Sequence, residues 1–389
     1  MRITRYARRA AVALTALGVV GAVAAAGSAQ GATTPPWRVW HVFPWSSEIT
    51  AVAATGAGNA WAGGDQCTSS GGCSNGSLLV EHWNGRTWQP MKPPGGLGGA
   101  APGQFASALA ASSPTNVWVM ADSTRGAGDL TVAQHWNGKA WATPTAFPEW
   151  AQISAAVTTS DRNAWAFGQL VTTGGSYVVH YNGAKWSQVS FPIDTQGASA
   201  VSAGDIWTVG SWVLGKEPKG ASPFAVEHWT GSAWHTVPVP ALKLPKGTQG
   251  VQPESVVAEN ANDVWAAAYL TEGRGVGNGI VLLHWNGKKF AQVTVPSTVT
   301  GPFFLSGDGS GGIWLSATRV VKDKFGTYLY RYSDGHWTQV TAPTQLKHTT
   351  QLNAITLIPG THSVWATGEQ FSPTIDPGQS QGLILKYGP

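Results

Sequence analysis

Asn59-Ala60-Trp61-Ala62-Gly63-Gly64 and His82-Trp83-Asn84-Gly85-Arg86-Thr87-Trp88 are two halves of one sentence that the chain writes seven times. The first half returns around Trp118, Trp165, Trp207, Trp265, Trp314 and Trp365. The second half returns as His135-Trp136-Asn137-Gly138, His180-Tyr181-Asn182-Gly183, His228-Trp229-Thr230-Gly231 and His284-Trp285-Asn286-Gly287. Weaker copies are Arg331-Tyr332-Ser333-Asp334-Gly335 and Lys386-Tyr387-Gly388. The tryptophans run from 61 to 365 in six steps, a mean period of ~51 residues, which is in the range of propeller blades.

Each unit reads as four short strands. In the first unit they are 49–54, 60–64, 78–83 and 87–91, marked by alternation, β-branched and aromatic residues, and bracketing turn residues. The Asn-Gly between third and fourth strands is a tight-hairpin signal. The seventh unit lacks a fourth strand. Trp37-Arg38-Val39-Trp40-His41-Val42-Phe43-Pro44 resembles the fourth strand Trp186-Ser187-Gln188-Val189-Ser190-Phe191-Pro192 with one residue of slack. The expected fold is therefore all-β: a seven-bladed β-propeller of four-stranded blades, closed by the N-terminal strand completing the last blade.

Residues 1–32 read as a secretory signal peptide, with residues 33–389 as a single propeller domain. Arg2, Arg5, Arg8 and Arg9 precede an apolar run of small residues, 10–26. The chain is expected to be secreted. Of its 24 Lys+Arg, four lie in this leader, which holds no acid; the remainder faces 20 Asp+Glu and is close to neutral. That balance argues against a nucleic-acid partner, which needs a clustered basic surface. No later segment reaches the ~18 apolar residues of a membrane span, and a monomer is expected. Two cysteines, Cys67 and Cys73, share one loop and are expected to pair as a disulfide in an oxidising compartment.

The loops between second and third strands and between blades are long and differ from unit to unit. Both classes emerge at one end of an up-and-down blade, and variable loops on a rigid scaffold are where function concentrates. The candidate partner- or ligand-binding residues lie there: Glu48, Gln104, Gln152, Gln196, Glu254 and Gln351 near the starts of first strands, and the off-register Trp150 and Trp212. The five repeated histidines occupy equivalent positions in different blades, so they cannot converge on a metal; they read as packing and hydrogen-bonding residues. No pair of acids is singled out by spacing for glycoside hydrolysis. Neither a Gly-x-Ser-x-Gly elbow nor a His-Glu-x-x-His motif occurs. No catalytic residue, metal ligand or cofactor is assigned. Gln345, Gln379 and Gln381, in segments read as flexible loops, are candidate amide donors for an extracellular transglutaminase.

The blade pattern, with small residues after the second-strand Trp and then Tyr/Trp…Gly-x-x-Trp-x-x-Val-x-x-Pro, resembles kelch and galactose-oxidase-type propellers over residues 37–389. The kelch double glycine survives only at Gly63-Gly64. The leader and the His-Trp-Asn-Gly repeats are similar to those of secreted actinobacterial propellers, including the dispase autolysis-inducing propellers of Streptomyces. That resemblance implies a non-enzymatic protein that binds thermolysin-like neutral metalloproteases, promotes their self-cleavage and serves as a transglutaminase substrate. The alternative expectation is a carbohydrate-binding propeller or a polysaccharide-degrading enzyme working through the channel mouth.

Overall fold

Seven antiparallel sheets of four strands form a closed ring in the computed structural model. The structure describes residues 11–12, 37–67, 76–93, 104–123, 130–272, 275–297, 299, 303–321, 324–340, 349–371 and 380–389. No helix occurs among them. The innermost strands are Ser47–Gly56, Gln104–Ser113, Ala151–Ser160, Ile193–Ser202, Gly250–Asn260, Phe303–Gly307 and Thr349–Leu357, for blades 1 to 7. Successive strands of a blade pair outward from each of these. The two-residue strand Ala11–Val12 lies parallel to the innermost strand of blade 3, opposite Ala155 and Ala156.

The repeated sequence is the packing unit. The first-half tryptophan of each blade is buried against aromatics of the next. Trp61 meets Trp136 and Trp141, Trp118 meets Tyr181 and Trp186, and Trp165 meets Trp229 and Trp234. Trp207 then meets Trp285 and Phe290, Trp265 meets Tyr332, Trp314 meets Tyr387 and Trp37, and Trp365 meets Trp83 and Trp88. Large aromatic area buried in edge-on and tilted pairs is what joins sheet to sheet.

The repeated histidines complete this unit, as the sequence reading expects. The rings of His82, His135, His180, His228 and His284 stack on Trp61, Trp118, Trp165, Trp207 and Trp265, with centroids 3.9 to 4.3 Å apart. Each Nε2 is bonded to the turn residue before the second strand: Asn59, Asn116, Asn163, Asp205 and Asp263, at 2.7 to 2.8 Å. Blades 6 and 7 keep the clasp with other cations. Arg331 lies over Trp314 and bonds Asp308 at 2.9 Å. Lys386 lies over Trp365 and Trp40.

The strand Arg38–Trp45 pairs with Ser380–Tyr387 as the fourth strand of blade 7, so the N-terminal segment closes the ring. The residue of slack seen in the sequence is a β-bulge between Val39 and His41. It leaves Trp40 partly exposed, edge-on to Trp83 across the seam and to Trp365 of its own blade. Trp37 is 1% exposed and wedged between Trp314 and Tyr387.

Candidate functional site

The starts of the first strands, the loops after the second strands and the connections between blades all lie at one end of the ring, because each blade alternates direction. Six innermost strands carry a β-bulge near this mouth, at Thr50, Ser107, Ser154, Gln196, Glu254 and Asn353. Counting from the bulge separates the six polar candidates into three rows. Glu48, Gln152 and Gln351 stand two residues before it, in a row that also holds Phe105, Asp194 and Gln252. Gln196 and Glu254 are themselves the bulged residues. Gln104 stands one residue earlier than the Glu48 row and is buried, its backbone N–H donating to Gly76 O at 3.0 Å.

A close backbone approach fixes the Glu48 row. A Cβ on Gly64, Gly168, Gly210 or Gly368 would stand about 2 Å from the carbonyl oxygen of Glu48, Gln152, Asp194 or Gln351 respectively, so only glycine fits there. This is the physical content of the small residue three places after the repeated tryptophan. Across the strand pair, the row faces Asp65, Asp122, Gln169, Ser211, Tyr269 and Glu369. The result is a mouth rich in carboxylates and amides. Some members are knitted together: Asn353 Nδ2 donates across the blade 7/1 seam to Glu48 Oε1 at 2.9 Å, and within blade 7 Gln351 Nε2 donates to Asn353 Oδ1 at 3.2 Å. The Tyr269 hydroxyl donates to Gln252. Such groups suit hydroxyls or peptide amides. Among the described residues, no three His, Cys, Asp or Glu side chains gather as a metal site would require.

The two off-register tryptophans differ. Trp212 ends the second strand of blade 4, packs on the blade 3/4 core and donates its indole N–H to Ser222 O at 2.9 Å. It anchors its loop. Trp150 is half-buried, sits at φ +67°, and accepts the Val171 N–H on its carbonyl at 3.0 Å. A bulky residue in the left-handed region is an outlier of the kind that accumulates at functional sites.

Gln381 falls inside the strand Ser380–Tyr387 and accepts the Gln370 amide at 2.6 Å, which corrects its reading as a flexible-loop residue. The strand extends further than the sequence reading placed it because Ser380 and Gln381 pair with Phe371 and Gln370. Gln345, Gln379 and Cys73 lie outside the described residues. Cys67 is buried at the end of its strand, beside Asp65.

What the sequence reading missed is the outer part of this face. Val171, Leu214 and Leu244 are 40%, 94% and 40% exposed, in the loop after the second strand of blade 3, the corresponding loop of blade 4 and the connection from blade 4 to blade 5. Exposed Lys216, Lys219, Lys243 and Lys246 accompany the last two. The signal was present as Val-Leu-Gly-Lys and Leu-Lys-Leu-Pro-Lys within otherwise polar loops.

No family model matches the chain, and no curated protein does. Among solved structures, the GH74 xyloglucanase of Xanthomonas campestris superposes with a TM-score of 0.55 at 13% identity, covering 86% of this chain and 53% of that one. A Hadza microbial sialidase gives 0.45 at 12% identity, over 87% and 65% of the two chains. A Dyadobacter fermentans protein of unknown function gives 0.48 at 12% identity, over 91% and 100%. The chain thus spans about half the length of the xyloglucanase, and at this identity the likeness is one of propeller fold.

Proposed function

We propose that the protein is a secreted, non-catalytic binding propeller whose long-loop face engages an extracellular protein. The observation that carries this reading is that Val171, Leu214 and Leu244 are exposed apolar side chains on loops of this one face, with Lys216, Lys219, Lys243 and Lys246 beside the last two. Exposed side chains on variable loops held by a rigid scaffold suit contact with a partner, and the lysines favour one with an acidic surface. The resemblance to actinobacterial propellers directs the choice of partner to neutral metalloproteases of the thermolysin type. A face that binds a locally opened protease conformer better than the closed one raises the population cleaved by a neighbouring protease. Incubating the purified protein with such a protease tests this. A shortened protease half-life with new fragments is expected; an unchanged half-life and fragment pattern sinks the reading. Within the same reading, Gln345 and Gln379 are proposed as transglutaminase amide donors, and Cys67 with Cys73 as the loop's disulfide. Mass spectrometry after amine incorporation, and of the unreduced chain, decides both.

A second reading, glycan binding or hydrolysis at the mouth, is favoured by the row of carboxylates and amides there and agrees with the xyloglucanase likeness at the level of fold. A glycan array together with a reducing-sugar assay separates the two readings: silence in both removes this one.

A further inference from the structure

One blade seam differs from the others in a way that opens a cavity. In blades 1, 3, 4, 5 and 6, an aromatic stands at or next to the start of the fourth strand: Trp88, Trp186, Trp234, Phe290 and Trp337. Three residues on it places Met91, Val189, Val237, Val293 and Val340, each packed into a seam core. In blade 2 the corresponding residue after Trp141 is Pro144. Proline has no N–H for the ladder, and one extra residue separates Trp141 from Phe147 compared with Trp186 and Phe191. The fourth strand accordingly shrinks to Thr145–Ala146, both exposed, where blade 3 has Trp186–Val189. No aliphatic side chain stands at this position in the seam between blades 2 and 3, where Phe147 is the buried residue of the segment.

A cleft of about 450 Å³ opens in its place. Its walls include five aromatic rings: Trp118, Phe147, Tyr177, Tyr181 and Trp186. The polar lining consists of His135, Thr143, Thr145, Lys185 and Gln188, with Lys185 carrying the one formal charge and no carboxylate present. Tyr177 is 4% exposed, and burial pushes its phenol up to about 12, so the hydroxyl stays a donor. A cleft walled by edge-on and tilted aromatic rings, with one cation and no carboxylate, suits a small aromatic anion. Its volume falls in the range of small-molecule sites.

We infer that the blade 2/3 seam is a binding site for a small aromatic carboxylate, with its ring against the wall formed by Phe147, Tyr177 and Trp186 and the carboxylate toward Lys185. The site is independent of the loop face. Titration calorimetry of the full mature chain with 4-hydroxybenzoate, 4-hydroxybenzyl alcohol and cyclohexanecarboxylate tests it. Saturable binding of 4-hydroxybenzoate is expected, weakened about fivefold by Lys185→Gln, the scale of a partly exposed ion pair, with the alcohol unaffected by that change. Ala146→Trp, at an exposed wall position, is expected to abolish binding of both while leaving the circular dichroism of the fold intact. Absence of saturable binding overturns the inference. So does undiminished binding in a folded Ala146→Trp variant, or equal affinity for cyclohexanecarboxylate.

Discussion

His180 shows how a residue that looks like a metal ligand is consumed by the scaffold. Its ring lies on Trp165 at 4.1 Å and its Nε2 meets Asn163 at 2.7 Å, while burial lowers its pKa. Replacing it with alanine removes a stack and leaves the Asn163 amide oxygen short of a partner, a loss of ~1–3 kcal/mol. Thermal unfolding of His180→Ala should fall accordingly, with no change in metal content. Glu81 makes stability depend on pH. It is 6% exposed, its Oε2 has no hydrogen-bond partner, and burial raises its pKa from 4.5 to about 7. The folded state therefore holds a proton that the unfolded state releases. Stability from this group is full below pH 4.5, and is lost as pH rises through about 7. The unfolding free energy from denaturant titration should fall between pH 5 and 8, by at most ~3 kcal/mol, and Glu81→Gln should flatten that slope. A slope unchanged in the variant would show that other groups govern it.

At the scale of elements, much of the fold was legible because the repeat is local. The tight Asn-Gly turns, the tryptophan period and the missing seventh fourth-strand each follow from a few neighbouring residues, and Trp37–Pro44 could be matched to Trp186–Pro192 by eye. The bulge at Trp40 was legible as slack. The mouth was less so. Gln104, Gln196 and Glu254 look equivalent to Glu48 in the sequence, but the bulge shifts register by one residue and sends them to other rows, and a bulge has no composition of its own. The consequence of Pro144 was visible as a broken pattern whose effect on the seam needed the neighbouring blade. Ring closure gives a direct test. Trp37→Ala should cost ~3–5 kcal/mol, as for other buried tryptophans, and deletion through residue 45 should expose the paired edge of Ser380–Tyr387 and promote aggregation. Light scattering of the truncated chain measures this; a monodisperse, fully stable product would contradict a closing role for the strand.

The whole molecule has two unlike ends. The short-turn end repeats the same hairpin and carries exposed cations such as Arg86, Lys139, Lys288 and Lys289. The long-loop end carries the carboxylate and amide mouth, surrounded on blades 3 to 5 by Val171, Leu214 and Leu244 with their lysines. Aromatics at repeat positions join blades, while Val171, Leu214 and Leu244, outside the repeat, face solvent. The central claim is that the second end binds a protein partner. The most direct measurement compares the half-life of a thermolysin-type protease alone, with the intact protein, with Leu214→Glu/Leu244→Glu, and with the opposite-end variant Arg86→Glu/Lys288→Glu. The intact protein and the opposite-end variant are predicted to shorten the half-life alike, and the loop-face variant to lose most of that effect. Equal action by all three proteins, or none by the intact protein, would contradict the account.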